Sequence, residues 1–194
     1  MSTLLPGRFR VASPEDPAVL VLLDDLVREY TERYGTRLNR AGSRAEIDRY
    51  PNQVFLPPDG AFIVYEEGAE VLSGAAFKRL STDTAEVKRV WTRADQRGRG
   101  LARATMDELC RVAADAGYGS LFLTTGPRQP EAVRLYLAAG WAPGFDPDRY
   151  PVHYGPHPFT TTLGPAVEGH GAAPAVRSHH QGIALAPLQE KELT

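Results

Sequence analysis

The run Arg97-Gly98-Arg99-Gly100-Leu101-Ala102 is the part of this chain whose residue types and spacing promise chemistry. It follows a stretch that reads as a strand, Ala85 to Thr92, and opens a predicted helix over 101–116. In that helix Ala102, Met106, Leu109, Ala113 and Ala116 recur at helical spacing, and Gly117 is the stop. A glycine-rich entry into a helix makes an anion site. The first backbone N–H groups lack intrahelical partners, the dipole there is positive, and glycines let a phosphate come close to the main chain. Arg97 and Arg99 add charge of the same sign. Two other phosphate-binding turns do not fit. A dinucleotide fingerprint would need a small residue at 103, which is Arg103, and an acidic residue ending the next strand, which reads Thr124-Thr125. A P-loop would need Gly-Lys-Ser/Thr, and none is present. His153, His157, His170, His179 and His180 form no ligand set on a helix or with cysteines, so no metal is expected. Cys110 sits mid-helix in an apolar setting with no histidine near in sequence, a poor setting for a nucleophile.

The remaining elements must position that turn. A chain of 194 residues with 42% hydrophobic content supports one packed domain. We expect that domain over 1–163, with a Gly/Ala/Pro-rich C-terminal tail over 164–194. Alternating residues over 8–12 suggest a first strand, and Ser13-Pro14-Glu15-Asp16-Pro17 a helix start. Val19, Leu23, Leu26, Tyr30 and Tyr34 recur every three or four residues, predicting a helix over 17–34 that ends at Gly35. Ser43-Arg44-Ala45-Glu46 has capping-box spacing, so a short helix over 44–50 is expected. Strands follow over 61–65, 71–80 and 85–92, the first two joined by a turn at Glu66–Glu70. A buried strand over 120–125 and a helix over 130–139, with proline in its first turn, complete the pattern. The segment from Trp141 to Tyr154 is expected to hold the last one or two strands.

The glycine-arginine run resembles the Arg/Gln-x-x-Gly-x-Gly/Ala signature of the GNAT acyltransferases, with Ala102 in place of the final glycine. A second match lies downstream at the expected place. Gln129-Pro130-Glu131-Ala132-Val133-Arg134-Leu135-Tyr136-Leu137-Ala138-Ala139-Gly140-Trp141 is similar to the family's Asn-x-x-Ala-x-x-Leu-Tyr-x-x-x-Gly-aromatic segment. The resemblance spans about residues 8–160. It implies an α/β (α+β) fold with a mixed, mostly antiparallel six- to seven-stranded sheet, splayed at the centre and covered by helices on both faces. The implied activity is an N-acetyltransferase moving an acetyl group from acetyl-CoA directly to an amine of a small molecule or peptide. The alternative is a non-catalytic acyl-CoA-binding or sensing module. Relatives are often dimers, so a homodimer is compatible with the resemblance.

Residue by residue, the resemblance places the cofactor's pyrophosphate on the amides of Arg97, Gly98, Arg99, Gly100, Leu101 and Ala102. Pantetheine then fills the gap between parted strands, bonded to the main chain of Val90, Trp91 and Thr92. An N–H near Val90 or Trp91 would face the thioester oxygen. Gln129 replaces the usual asparagine and still offers an amide. Tyr136 matches the tyrosine that protonates or hydrogen-bonds the departing thiolate; the plainer reading is that it packs. A protonated amine needs a base, and Glu86 is the candidate. Regular alternation would put the side chains of 86, 88 and 90 on one face. Equally, Glu86 could pair with Lys78 or Arg79 across the sheet. Trp91 reads as core or as pocket wall. The acceptor end is expected near Arg37, Arg128, Tyr150, His153 and Tyr154. The net charge of −2 and a pI near 6.2 disfavour nucleic-acid and anionic-membrane partners. A single cysteine and the absence of a run of about 20 apolar residues make a cytoplasmic location the default.

Overall fold

The Asp16 carboxylate accepts from the Ala18 N–H at 2.9 Å and Pro17 takes the first helical position, so α1 (Pro17–Tyr34) starts where the sequence places it. Val19, Leu22, Leu23 and Leu26 are buried on one side of it. The computed structural model describes residues 5–35, 41–153 and 155–164. Within them β1 (Arg8–Ala12), β2 (Ala61–Glu67), β3 (Glu70–Arg79), β4 (Thr84–Thr92), β5 (Ser120–Thr125), β6 (Ala142–Pro143) and β7 (His157–Thr162) form a seven-stranded sheet. Its order is β1-β2-β3-β4-β5-β7-β6, and every neighbouring pair is antiparallel except β4 with β5. The helices α2 (Ser43–Ile47), α3 (Leu101–Asp115) and α4 (Pro130–Ala138) complete the fold.

Helices on both faces explain why β2 is buried without alternation, from Ala61 through Tyr65. Ile63 packs with Phe77, Met106, Leu109, Leu121 and Phe159 on the α3/α4 side. Its neighbours Phe62 and Val64 pack with Leu22, Leu26, Phe55 and Trp91 on the α1/α2 side. A side chain at Gly74 of β3 would stand 2.6 Å from Leu22 Cδ1 and 2.9 Å from the Ile63 carbonyl oxygen. That close approach lets α1 lie flat on the sheet.

Three expectations change. The last long strand is β7, outside the Trp141–Tyr154 segment, which contributes only the two residues of β6. The capping box does not form: Gly42 precedes α2, no side chain caps it, and Ser43 is the first helical residue. The predicted tail lies outside the described residues, apart from Gly164.

The third change is a bulge in β4. Gly74 opposes Trp91 but Ala76 opposes Lys88, so β4 carries one residue more than β3 there, and Arg89 has φ +57°. Alternation resets across it. Val87 and Val90 both pack on the α3/α4 side, whereas Trp91 packs on the α1/α2 side, as does the Arg89 guanidinium over the Phe55 ring. Residues 86, 88 and 90 therefore do not share a face.

Gly74→Val should cost about 2–3 kcal/mol by overpacking, read as a lower urea midpoint with unchanged slope. A wild-type midpoint would mean that α1 does not lie as close to β3 as described.

Candidate functional site

The parallel contact between β4 and β5 is short. Thr84, Ala85 and Glu86 pair with Ser120, Leu121 and Phe122, and no pair follows, although β4 runs on to Thr92 and β5 to Thr125. The closed end is pinned. The Asp83 carbonyl accepts from Gly119 and Ser120 N–H at 2.9 and 3.1 Å, and the Thr84 and Ser120 hydroxyls lie 2.8 Å apart. Beyond it the bulge bends β4 away. Arg89 and Val90 have no ladder partner in β3, and Val87–Thr92 have none in β5. The result is a wedge of strand backbone open to a ligand.

The mouth of α3 lies at the wide end of that wedge. Gly98 and Gly100 both have φ +82°, and Gly100 is the N-cap in the left-handed region. No side chain caps the helix, and a Cβ at either glycine would meet nothing within 4 Å. Amides at a helix start, unshielded by side chains, fit an anionic group. The mouth is fixed to the strands by a buried hydroxyl network. Thr105 of α3 donates to Ser73 Oγ at 2.8 Å, and Ser73 donates to the Trp91 carbonyl at 2.8 Å, 3.0 Å from Thr92 Oγ1. Arg97 donates to the Thr92 carbonyl at 3.2 Å and pairs with Glu29 of α1 at 2.7 Å.

Wedge and mouth open into one cavity of about 1130 Å³, bounded by α1, α2, β4, the start of α3, the end of β5 and α4. That is somewhat above the usual range of about 300–1,000 Å³ for ligand sites, room for an extended ligand. Of the residues expected to hold the cofactor, Val90, Trp91, Thr92, Arg97, Gly98, Gly100, Leu101, Ala102, Gln129 and Tyr136 line it. Arg99 does not; its guanidinium is held by Gln96 and by Glu67 at 2.7 Å. Gln129 accepts on Oε1 from Thr125 Oγ1 at 2.9 Å and Gly126 N at 2.8 Å, so its oxygen braces the β5–α4 loop. The Tyr136 ring packs on Trp141 and Phe159 at 5.8 and 5.3 Å, and burial pushes its phenol well up. Trp91 serves both readings, in the α1/α2 core and on the wall.

Glu86 lies off the cavity wall. Its carboxylate pairs with Lys78, its cross-strand neighbour, at 2.8 Å and with Lys88 at 2.6 Å. Burial alone would raise its pKa, but hydrogen bonds from the two ammonium groups outweigh that and hold it below its ordinary value. Arg79 pairs instead with Asp59. At the acceptor end, Arg37 and Tyr154 lie outside the described residues. Tyr150 donates to the Gly126 carbonyl at 2.6 Å and accepts from Gln129 N at 3.0 Å, bracing the same loop. His153 stacks on His157 at 4.6 Å, and of the expected acceptor residues among those described only Arg128 reaches the wall. Sequence reading missed Tyr30, Glu46, Tyr50, Lys88 and Arg89, which also line the cavity. Burial pushes the Tyr30 phenol up to about 12. Nothing local in the sequence marks these residues: Lys88 and Arg89 sit in a strand that also carries Glu86, and the rest come to the wall through tertiary packing.

The model of the acetyltransferase (GNAT) family matches residues 21–141. The chain belongs to this family. An uncharacterized N-acetyltransferase of Schizosaccharomyces pombe is 30% identical over 138 residues, 70% of this chain and 84% of that one. An acetyltransferase of the GNAT family from Staphylococcus aureus superimposes with a TM-score of 0.63 at 12% identity, over 81% of this chain and 100% of that chain. The PaiA N-acetyltransferase of Thermoplasma acidophilum, solved with coenzyme A, gives 0.61 at 14% identity, over 81% and 99%. As a GNAT protein the chain is an acyltransferase. No described helix of this GNAT chain is long and apolar enough to cross a membrane.

Because the Glu86 pKa is depressed in the folded GNAT domain, its contribution to stability is present above the ordinary value of 4.5 and is lost as the pH falls through the folded value. Glu86→Gln, which leaves two lysines unpaired, should destabilise by about 3 kcal/mol at neutral pH. The gap to wild type should narrow as the pH is lowered below 4.5, read by denaturant melts across pH. A gap independent of pH would mean that the carboxylate is not the ionised hub of this cluster.

Proposed function

We propose that this acyltransferase takes its acyl group from acetyl-CoA and passes it directly to an amine of a small molecule or peptide. The observation that carries this reading is the parted β4/β5 pair beside the uncapped, glycine-lined mouth of α3. Acetyl-CoA supplies the activated acyl thioester. The amides of Gly98, Gly100, Leu101 and Ala102 hold the diphosphate, with Arg97 beside them and Arg99 adding longer-range charge from outside. Main-chain groups of Val90, Trp91 and Thr92 align the pantetheine arm as an added strand. Two carbonyls of this triplet already have partners, Trp91 with Ser73 and Thr92 with Arg97, so Val90 offers the freest backbone. Its N–H is the donor we assign to the thioester oxygen as that oxygen gains negative charge, an effect worth several kcal/mol. The Gln129 amide nitrogen, at the end not bound to the loop, contacts the cofactor.

Tyr136 holds the proton for the departing thiolate. Burial keeps the phenol protonated, so it can hydrogen-bond the sulfur as the thiolate departs, while making it a weaker acid than a free tyrosine. Glu86 takes the proton released by the amine through water, since its carboxylate stands behind Lys88 rather than on the wall. Its depressed pKa keeps the carboxylate ionised, so it is free to accept a proton but is a weaker base than an unpaired glutamate. The lone cysteine favours action in the reducing cytoplasm.

The test is thiol release from acetyl-CoA across a panel of amines, repeated with Tyr136→Phe. Wild type should release thiol with at least one acceptor class. The variant should lose about tenfold or more in kcat while CoA affinity stays within about twofold. An unchanged kcat would remove Tyr136 from proton transfer.

A further inference from the structure

At the acceptor end of the cavity one buried cation stands apart from the rest; Arg128, the other wall cation outside an ion pair among the described residues, is exposed and donates to the Arg33 carbonyl. The three carboxylates on the wall are each paired with arginine: Glu29 with Arg33 and Arg97, Glu46 with Arg49, Glu131 with Arg33. Lys88 is paired with Glu86. Arg89 also lines the cavity and is only 8% exposed, yet it forms no ion pair among the described residues. Its Nη2 donates to the Ile47 carbonyl at 2.8 Å and its guanidinium lies 4.1 Å from the Phe55 ring centroid, while the buried Nη1 has no hydrogen-bond partner. A guanidinium stays charged in proteins, and this one is costly to bury, because Asp48 acts on it only from beyond ion-pair distance and does not offset its desolvation. The backbone beneath it is strained as well, since φ +57° is rare for a side-chain-bearing residue and such outliers gather at ligand sites.

We propose that Arg89 receives the carboxylate of the acceptor, so that the substrate class is a small amine carrying a free carboxylate, of amino-acid type. This rests on the acyl transfer reading above. With Nη2 held on the Ile47 carbonyl, Nη1 is the arm left to donate to a carboxylate, once the acceptor displaces the side chains that bury it. It enters from the α2 side of β4, where Tyr30 and Tyr50 supply apolar wall with polar tips. A polyamine or an aminoglycoside would want unpaired carboxylates here, and the described wall carboxylates are all engaged with arginines.

The experiment compares matched acceptors with wild-type protein and acetyl-CoA: amines with a free carboxylate, the same amines as carboxamides, and a polyamine. In parallel, calorimetry measures binding of the corresponding N-acetyl carboxylates and carboxamides. Carboxylate acceptors should be favoured over their carboxamides by about tenfold or more in kcat/KM, and only the N-acetyl carboxylates should bind measurably. Arg89→Gln should raise KM about tenfold or more further for carboxylate acceptors than for the matched carboxamides, and Arg89→Lys should recover part of that difference. Turnover of carboxamides or polyamines equal to or better than carboxylates would overturn the proposal and leave the transferase reading standing. Carboxylate binding without turnover of any acceptor would support the Arg89 subsite and sink the transferase reading. The matched comparison in wild type decides the substrate class even where the variants do not fold, and the Arg89 variants decide the residue.

Discussion

Everything in this structure turns on where β4 stops pairing with β5. Parallel strands in a sheet normally satisfy each other's backbone along their shared length, and leaving strand backbone unpaired in a buried wall costs free energy. Here the pairing is confined to the residues before the Arg89 bulge, and that extra residue bends β4 away while the Asp83 and Thr84 contacts clamp the other end. The wedge is thus built into the strand geometry. Strand backbone and helix-start amides both look for partners of the same kind: polar, extended and anionic at one end.

The charges around the cavity divide the labour. Toward the mouth of α3, Glu29 and Glu131 with Arg33 and Arg97 tie α1 to the turn and to α4. On the far side of β4, Lys78, Lys88 and Glu86 form a compact cluster with a net positive charge, with Tyr50 close to both lysines. The same strand therefore offers main chain on one flank and a guanidinium with charged neighbours on the other. The two substrates of a transfer reaction can meet over Val90 without competing for the same groups.

Much of this was legible locally. The α1 stripe, the Gly98–Gly100 turn and the Pro130 helix start declare themselves through periodicity and backbone preference, and the structure places those elements within a residue or two of expectation. The β7 strand was not legible, because His157–Thr162 has one large apolar residue, Phe159, and becomes a strand through its pairing with β5. Nor was the bulge, since register is a property of two strands, and Arg89 looks like any β4 residue until Gly74 and Ala76 are placed opposite. That single slip moved Val90 to the other face from Glu86 and Lys88. The acceptor end likewise depends on α2 folding over β4, a tertiary contact with no local signature.

The most direct test is amide hydrogen exchange, resolved by residue, with and without coenzyme A. If the ligand's diphosphate sits at the α3 mouth and its arm runs into the wedge, exchange should slow at Gly98, Gly100, Leu101, Ala102 and Val90, while β1 and β2 change little. Saturating coenzyme A that binds yet leaves those amides exchanging at their free rates would contradict the account.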